Sequence, residues 1–517
     1  MTIKKQKLPV VFRLSKEYNA GMSLSSHIFK VGAWTGFSRV LGLARDLLIA
    51  RVLGAGRLSD IFFAAFRLPN LFRDLLGEGA LSLVFVPMFA KHKNRSKIGP
   101  FFASNIFSWL MAILLIITVI AQIAMPLIMW AIVPGFADDP EKMQMTVFVS
   151  RILFSYVILV CGIAFLSGVL NAFSDFARAA AMPAVLNMFM IGGLVLAMYL
   201  NAGEGAIYIL SGAVLLSGVV QLGILWHRLI KRKFGLRIIR PRFTPGVKTM
   251  VRRIGLGFAG NGFYQLNILA GTLIASFQTG AISWLYYADR MVQLPFAVIG
   301  LAAGTVLLTS ISDALNTKDF EKIYNQQNRV LRNTMMFTLP SMIGLFVLAQ
   351  PIIQFLFEHG AWTSQATVAV AMAIMIQTFA LPAMTTSQVF SRTLYAAQDV
   401  KTPVKISIVA LIVGIAVMFA LAGFIGYLAV PVGTVVSGYL RNAWLRYECR
   451  SRGLYRPSRS ANFAIFIFGI LSLAMGAGLW WAMSAELITG IFTLMLAIAA
   501  AAVVYLPVAW AINKKIT

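Results

Sequence analysis

The amino-acid sequence predicts an all-α polytopic membrane protein with about fourteen transmembrane helices. Hydrophobic residues make up 59% of the 517 residues, and charged residues make up 12%. Soluble domains carry roughly twice that charged fraction, about 25%. Many separate apolar runs approach the ~20 residues that a helix needs to cross a bilayer. Unpaired backbone groups are not tolerated in lipid, so these runs are predicted to be helices.

The predicted spans follow one another along the whole chain. Pro69, Gly77 and Gly79 predict a bend in the second of them. In chain order the spans are residues 26–50, 60–90, 101–132, 147–171, 181–200, 206–227, 252–275, 281–311, 333–357, 365–391, 404–423, 427–445, 461–484 and 487–511.

The distribution of charge between the spans predicts their orientation. The connecting segments 91–99, 228–253 and 441–459 are rich in lysine and arginine, and with fourteen spans they all fall on one side. The opposite side carries the acidic residues Asp138, Asp139, Glu141, Glu204, Glu358 and Glu486. Basic loops face the cytoplasm, so both termini are predicted to be cytoplasmic. The same rule explains the net charge of +27 without a nucleic-acid partner.

An internal repeat predicts two lobes. The segment 170–175 resembles 394–399, and Leu68-Pro69 resembles Leu294-Pro295, with both offsets close to 225 residues. That distance holds six spans, so two six-helix lobes would share one orientation, as in transporters that rock about a midplane site. The predicted divisions are a cytoplasmic extension (1–25), an N-lobe (26–230), a basic linker (231–251), a C-lobe (252–448) and two C-terminal helices with a short cytoplasmic tail (449–517).

Charged residues inside the predicted spans give the functional signal. A charge at mid-membrane costs about 2.5–3.5 kcal/mol on insertion scales, so such residues face a polar cavity or each other. They cluster in the first, second and eighth spans, as Arg39, Arg45, Asp46, Asp60, Arg73, Asp74, Glu78, Asp289 and Arg290.

Two interpretations of these charges compete. Arg45, Arg73 and Arg290 each adjoin an aspartate, and local pairing would make them structural. Adjacent residues on a helix do not face each other, which favours a shared cavity. Arg39 and Arg45 point about 120° apart on a helix and fit a broad cavity better than a narrow seam. The remaining arginines near these spans, Arg51, Arg57 and Arg67, are predicted to reach a membrane interface.

The predicted cavity suits an anionic substrate. The planar arginine fork matches phosphate, and several arginines converging on one cavity would suit a diphosphate. The four histidines show no metal-ligand spacing, and no ATP-binding glycine loop with its lysine is present. The sequence therefore predicts a transporter rather than an enzyme, without a cofactor and driven by the membrane potential or a monovalent cation.

Long motifs resemble one transporter family. FSRVLGLARD at 37–46, SDIFFAAFRLPNLFRDLLGEGALS at 59–82 and WLYYADRMVQLP at 284–295 are similar to the MurJ (MviN) family of lipid II flippases, within the MOP exporter superfamily. The resemblance implies a MOP/MATE-like fold in the bacterial inner membrane. It also implies transfer of the undecaprenyl-diphosphate-linked peptidoglycan precursor to the outer leaflet by alternating access. A groove for the polyprenyl tail would lie on the last two helices.

The resemblance also implies roles for individual residues. The implied substrate-binding residues are Arg39, Arg45, Arg73, Arg290 and Ser283. The implied gating or supporting residues are Asp46, Asp60, Asn70, Glu78 and Asp289. Glu78, between two glycines, is predicted to gate the cavity by pairing with an arginine in one state.

Several alternatives stay open from the sequence. A MOP exporter of a drug would need an acidic, aromatic cavity, which the arginine excess disfavours; an exporter of another polyprenyl-linked lipid is a further possibility. A non-transporting scaffold of cell-wall synthesis predicts that the cavity charges are replaceable. A membrane transferase needs an acid–base constellation that the sequence does not offer. The predicted partners are lipid II, the membrane and proteins of cell-wall synthesis.

Overall fold

A computed structural model describes residues 24–75, 84–91, 98–317 and 319–515, and this part of the chain is helical without strands. The helices are α1 (Leu24–Leu53), α2 (Arg57–Arg73), α3 (Val86–Ala90), α4 (Ile98–Ile132), α5 (Pro140–Ala172), α6 (Phe176–Tyr199), α7 (Ala206–Lys231), α8 (Pro245–Ala275), α9 (Ala281–Asn316), α10 (Phe320–Phe357), α11 (Ser364–Thr378), α12 (Ala380–Ala396), α13 (Lys401–Ile425), α14 (Ala429–Ser451), α15 (Arg459–Ser484) and α16 (Ile491–Lys515).

Every predicted span overlaps at least one of these helices. Within the described residues, nine helical stretches are long and apolar enough to cross a membrane. Helices α1, α2, α8 and α9 are not among them, and α1, α2 and α9 carry the charges that the sequence singled out. The all-helical membrane fold is therefore confirmed, whereas the number fourteen stays a prediction. The second predicted span runs through residues 76–83, and Glu78 thus lies outside the described residues.

Polar residues fix several helix starts. Asp139 caps α5 by accepting the Lys142 backbone N–H, and Asp319 caps α10 in the same way through Lys322. Ser458 caps α15 through the N–H of Ala461. Such side chains satisfy backbone donors that have no partner within the helix. These caps define where the chain leaves a loop and enters the apolar core.

The helices pack as two groups with an attached pair. In the first group, α5 packs on α2, α4 and α7, and α6 packs on α1 and α7. In the second, α9 packs on α10, α11 and α12, and α14 packs on α12 and α13. Helix α15 lies on α10, and α16 lies beside both. The two-lobe architecture with a C-terminal pair matches the prediction, and the lobe boundaries remain predicted positions.

The internal repeat extends into three dimensions. Ser174 and Gln398 occupy equivalent turns with positive φ values of 62° and 63°. The backbone N–H of the following aspartate closes each turn, from Asp175 to Leu170 at 3.0 Å and from Asp399 to Leu394 at 2.9 Å. Each aspartate then binds an arginine near the end of a later helix, Arg228 in α7 at 2.9 Å and Arg452 directly after α14 at 2.6 Å. The two lobes thus share a detail that hydropathy alone does not report.

Candidate functional site: an arginine cluster between the lobes

The central polar cluster joins α1 of the first lobe to α9 of the second. On α1, Nη2 of Arg45 lies 2.6 Å from Oδ1 of Asp46, and both side chains are buried. Arg45 also donates through Nη1 to Oδ1 of Asn187 on α6, at 2.9 Å. The Asn187 amide donates in turn to the Ser38 carbonyl oxygen at 3.0 Å. Helix α6 therefore fixes the direction in which the Arg45 guanidinium points.

Tyr286 on α9 connects the two arginines. Its hydroxyl donates to Oδ1 of Asp46 at 3.1 Å. The Tyr286 hydroxyl oxygen also accepts from Arg45 at 3.2 Å and from Arg290 at 3.1 Å. Nε of Arg290 lies 3.6 Å from Oδ2 of Asp46, and the Arg290 guanidinium stands over the Tyr286 ring at 5.1 Å. Two guanidinium groups thus share one carboxylate, which leaves the cluster cationic.

The two arginines differ in exposure. The Arg45 side chain is 10% exposed, whereas that of Arg290 is 45% exposed. Arg45 has a short ionic contact and an amide acceptor, whereas Arg290 has a longer ionic contact and one hydroxyl acceptor. Arg290 is therefore the guanidinium with donors left for an incoming anion.

Local pairing is more common than the sequence suggested. Arg45 pairs with Asp46, and Nη2 of Arg73 lies 3.1 Å from Oδ1 of Asp74. The inference from adjacent residues not facing each other is wrong for these two pairs, because the side chains are long enough to meet. Arg290 behaves differently and pairs with Asp46 across the lobes, not with its neighbour Asp289. The cavity interpretation and the local-pairing interpretation are thus both partly right.

The other predicted arginines lie apart from this cluster. Arg39 is exposed on α1, and among the described residues no carboxylate lies within ion-pairing distance of it. Arg73 is 44% exposed near the end of α2. Its partner Asp74 accepts a hydrogen bond from Gln265 of α8 at 3.0 Å, which brings Arg73 to the lobe boundary. Asn70 is half-buried on the same helix.

Ser283 is placed differently from the sequence expectation. It is fully buried at the start of α9, where its Oγ and its backbone N–H each donate to Oδ1 of Asp60 at 2.9 Å. The backbone N–H of Gly280 donates to Oδ2 of Asp60 at 2.6 Å. In this conformation Ser283 therefore joins α2 to α9 and does not line an open cavity.

This junction belongs to a wider contact that we name the outer seal. It comprises the Asp60–Gly280–Ser283 junction, a hydrogen bond of 2.9 Å from Nε1 of Trp284 to the Ala55 carbonyl oxygen, and three close backbone approaches. The approaches are Ala361 N–H to the Arg51 carbonyl at 2.9 Å, Gly54 against Ala361, and Gly135 against Ser276 and Phe277. All these residues lie at helix ends that the charge pattern predicts to face the outside of the cell, and the lobes meet there.

Arg57 and Arg67 illustrate two outcomes for the peripheral arginines. Arg57 forms an ion pair of 3.0 Å with Glu141 at the rim, consistent with an interfacial position. Arg67 was expected at an interface too, and its depth in the membrane stays a prediction. It lines a cavity of about 150 Å³ together with Asp289 and Gln377. Asp289 accepts hydrogen bonds there from Gln377, at 3.0 Å, and from Gln293.

An apolar groove is lined in part by residues of α9 that follow Arg290 in sequence. It has a volume of about 610 Å³ and lies between α9, α10, α15 and α16. Met291, Leu294 and Pro295 contribute to it from α9, so the groove begins at the residue after Arg290. Most other lining residues are apolar and not aromatic, with the aromatic Phe337 and Tyr505 and the polar Ser341 as exceptions. The groove coincides with the helices for which the family resemblance implied a lipid-tail site.

Several site residues were missed by sequence reasoning. Asn187, Tyr286, Gln265 and Lys142 all carry polar contacts between helices. Each stands within or beside an apolar run, and that polar interruption is a signal the sequence does contain. Three of these residues are uncharged and Lys142 lies near a helix start, so a search for charges at the centres of spans does not find them.

The fold and the site together define a multi-pass α-helical membrane protein whose two groups of helices share a cationic cluster. The structure is similar to that of "Lipid II flippase MurJ, inward closed conformation", with a TM-score of 0.80, 24% identity, and coverage of 94% of this chain and 98% of that one. An inward-facing MATE family multidrug transporter is also similar, with a TM-score of 0.64, 16% identity, and coverage of 85% and 97%. These two likenesses concern the fold.

Sequence comparison identifies the family within that class. The model of the family "Lipid II flippase MurJ" matches residues 49–502. A probable lipid II flippase MurJ of Rhizobium tropici is 36% identical, over 84% of this chain and 82% of its own length. The corresponding Rhizobium meliloti protein is 34% identical over 95% and 94%, and the lipid II flippase MurJ of Burkholderia cenocepacia is 32% identical over 90% and 91%. The chain belongs to the MurJ lipid II flippase family.

Proposed function

We propose that this chain moves lipid II from the cytoplasmic to the outer leaflet of the bacterial inner membrane by alternating access, for cell-wall synthesis. The observation that carries the proposal is the cationic cluster of Arg45, Asp46, Tyr286 and Arg290, shared between the two lobes. A site built from both lobes can open to either side as the lobes rock. Membership of the flippase family supports the choice of substrate.

The geometry suggests the order of binding. An incoming diphosphate replaces Asp46 first at Arg290, because that ionic contact is the longer one at 3.6 Å and the more exposed. The diphosphate then shares the donors of Arg45, whose fork is already oriented by Asn187. Charge-assisted hydrogen bonds of this kind are short and strong. Releasing Asp46 also loosens its link to α9 and thereby couples substrate binding to lobe movement.

The polyprenyl tail would occupy the apolar groove. Because the groove begins at Met291, next to Arg290, head group and tail bind adjacent parts of one helix. The tail then stays in an apolar setting while the polar head group crosses. This arrangement suits an amphipathic substrate and disfavours a small soluble drug.

The proposal requires no catalytic chemistry and no ATP. With the outside positive, an anion moving outward gains about 2.3 kcal/mol per charge per 100 mV. The membrane potential, or a monovalent cation, is therefore the proposed energy source. Both termini are proposed to face the cytoplasm, with proteins of cell-wall synthesis as further partners and no nucleic acid.

Replacement of the cluster arginines tests the proposal. We expect Arg45→Ala and Arg290→Ala to abolish growth and lipid II flipping in cells depleted of their own flippase, at normal membrane abundance. Arg45→Lys and Arg290→Lys should be partly active, because lysine keeps the charge but loses the fork. Arg456→Ala is the matched control, since this arginine is 76% exposed and 4.0 Å from its nearest carboxylate. Parent-like flipping by an Arg45→Ala, Arg290→Ala double variant would refute the proposal and favour a scaffold.

A further inference from the structure

A buried ion pair within the first lobe includes Asp60, which also belongs to the outer seal. Nζ of Lys142 on α5 is 3.7 Å from Oδ2 of Asp60 on α2, and their side chains are 4% and 0% exposed. The ammonium also stands 3.7 Å from the centroid of the Phe136 ring. A charge removed from water is tolerated when it is paired and hydrogen-bonded, and is costly otherwise.

The groups that contact the Asp60 carboxylate come from both lobes. The N–H groups of Gly280 and Ser283 and the Ser283 hydroxyl come from the start of α9 in the second lobe. Helix N-termini offer unpaired N–H donors and favour a negative charge. Lys142 comes from α5, which packs directly on α2 in the first lobe. Opening of the outer seal would thus remove three donors from Asp60 and leave Lys142 in place.

Other charges near Lys142 are already engaged or lie at the rim. Asp139 caps α5 at the Lys142 backbone N–H and lies 3.6 Å from Arg57. Glu141 is 79% exposed and also pairs with Arg57. Among the described residues, the carboxylate within ion-pairing distance of the Lys142 ammonium is that of Asp60. The charge balance of the closed seal therefore depends on this pair.

We propose that Lys142 is a positioning residue of the transport cycle, whose ammonium allows the outer seal to close over the Asp60 carboxylate. The inference rests on the proposed alternating-access transport. Without Lys142, closure buries the Asp60 carboxylate with its three donors from α9 but with no counter-cation, whereas the open state hydrates it. Loss of the ammonium thus shifts the conformational equilibrium towards the outward-open state, and the free-energy cost falls on the closed state.

A cysteine reporter in the seal measures this equilibrium directly. Ala55 is 7% exposed, and the native Cys161 and Cys449 are both buried. In an Ala55→Cys background, a membrane-impermeant maleimide is added outside intact cells. We expect Lys142→Met to raise the labelling rate severalfold and Lys142→Arg to keep it near that of the parent. Arg57→Met is the matched control, because it removes a cation from a rim ion pair whose partner Glu141 is 79% exposed, and such surface pairs contribute little to stability.

A double variant separates charge compensation from packing. Asp60→Asn leaves the buried ammonium without its ion-pair partner, and Lys142→Met leaves the buried carboxylate without its own. Each variant should therefore open the seal. Together they remove both charges, and the double variant should label more slowly than either single variant. Additive opening in the double variant, parent-like labelling of Lys142→Met, or full opening in Lys142→Arg would each overturn the proposal. If Lys142→Met fails to accumulate, restoration of abundance by the added Asp60→Asn supports charge pairing, and no restoration contradicts it.

The same cells report separately on the proposed function. Labelling requires no lipid II, whereas flipping is measured on the accumulated precursor. If Lys142→Met labels faster than the parent but the parent flips no lipid II, the Lys142 assignment stands and the proposed substrate is refuted. If the parent flips lipid II normally but Lys142→Met labels at the parent's rate, the substrate stands and the Lys142 assignment is refuted.

Discussion

Tyr286 is the residue through which the two lobes share their charges. Its hydroxyl is within 3.2 Å of Arg45, Asp46 and Arg290 simultaneously. Its ring stacks on Phe63 of α2 with centroids 3.9 Å apart. The ring therefore fixes where the hydroxyl lies, and the hydroxyl fixes the spacing of the two guanidinium groups.

Removal of this hydroxyl tests its role. We expect Tyr286→Phe to lower lipid II flipping about tenfold at normal abundance, because a hydrogen bond to a charged group is worth about 1.5–3 kcal/mol. Tyr287→Phe is a matched control on the neighbouring residue. The Tyr287 hydroxyl is buried and has no hydrogen-bond partner among the described residues, so its loss should be nearly neutral. Equal transport by the two variants would contradict the assignment.

At this scale the sequence predicted the residue types better than their partners. Arg45 and Arg290 were singled out because charges are rare in apolar spans. Their meeting at Asp46 joins helices distant in the chain, and no local pattern encodes that contact. Ser283 and Asp60 appeared as separate candidates, and their direct hydrogen bond depends on how α2 meets α9. Glu78 lies outside the described residues, so its gating role stays a prediction.

At the scale of elements, each lobe is fastened by an aspartate at a helix–helix turn. Asp175 accepts from Arg178, Arg228 and Arg232. Burial opposes the charge of Asp175, but the arginine hydrogen bonds outweigh it and lower its pKa. Hydrogen bonds from Thr402 and Arg452 hold the pKa of Asp399 well below its usual range. The paired turns tie α6 to α7 and α13 to α14, so each lobe can move as a unit.

The lowered pKa of Asp399 predicts a pH dependence of stability. A carboxylate with a depressed folded-state pKa stabilises the fold above its unfolded value, about 3.9. That contribution is lost as the pH falls towards the folded value. Asp399→Asn lacks this contribution at any pH, so its melting temperature should fall less than the parent's between pH 5 and pH 3. Glu321→Gln, which alters a carboxylate 74% exposed, should follow the parent. Parallel curves for Asp399→Asn and the parent would refute the assignment.

Helices were the part of the structure that the sequence predicted best. Hydrophobic runs dictate helices in lipid regardless of tertiary context, and the short motifs at 170–175 and 394–399 marked equivalent turns. The bonds from Asp175 to Arg228 and from Asp399 to Arg452 could not be predicted in the same way. They join turns to helix ends more than fifty residues away, through side chains that were read as part of the general cytoplasmic charge.

For the molecule as a whole, the described contacts between lobes are closest at the outer seal. Backbone segments approach there without intervening side chains at Gly54, Gly135 and Gly360. The Arg45–Arg290 cluster lies deeper, where Arg290 remains 45% exposed. This conformation is closed on the predicted outer side, while the Arg290 guanidinium below the seal still has exposed donors. In the proposed alternating-access cycle, such a conformation would precede outward release.

Closure of the outer seal should therefore depend on a glycine at the seal, such as Gly360, more than on a glycine of similar conformation elsewhere. Gly360 has a φ of +67°, and a Cβ there would lie 2.4 Å from the Arg51 carbonyl oxygen. Gly453 has a φ of +66°, but no atom lies within 4 Å of a Cβ at that position. Both Gly360→Ala and Gly453→Ala incur the left-handed backbone cost of about 1–2 kcal/mol. Only Gly360→Ala also prevents the backbones from meeting.

We accordingly expect Gly360→Ala to speed external labelling of Ala55→Cys severalfold and to slow lipid II flipping, because the outward-closed state becomes less accessible. Gly453→Ala should lower the melting temperature by a similar amount while leaving labelling and flipping close to those of the parent. The measurement is the labelling rate in intact cells, normalised to membrane abundance. If both variants label alike, backbone strain alone explains the effect, and the close approach of Gly360 to Arg51 does not control the seal.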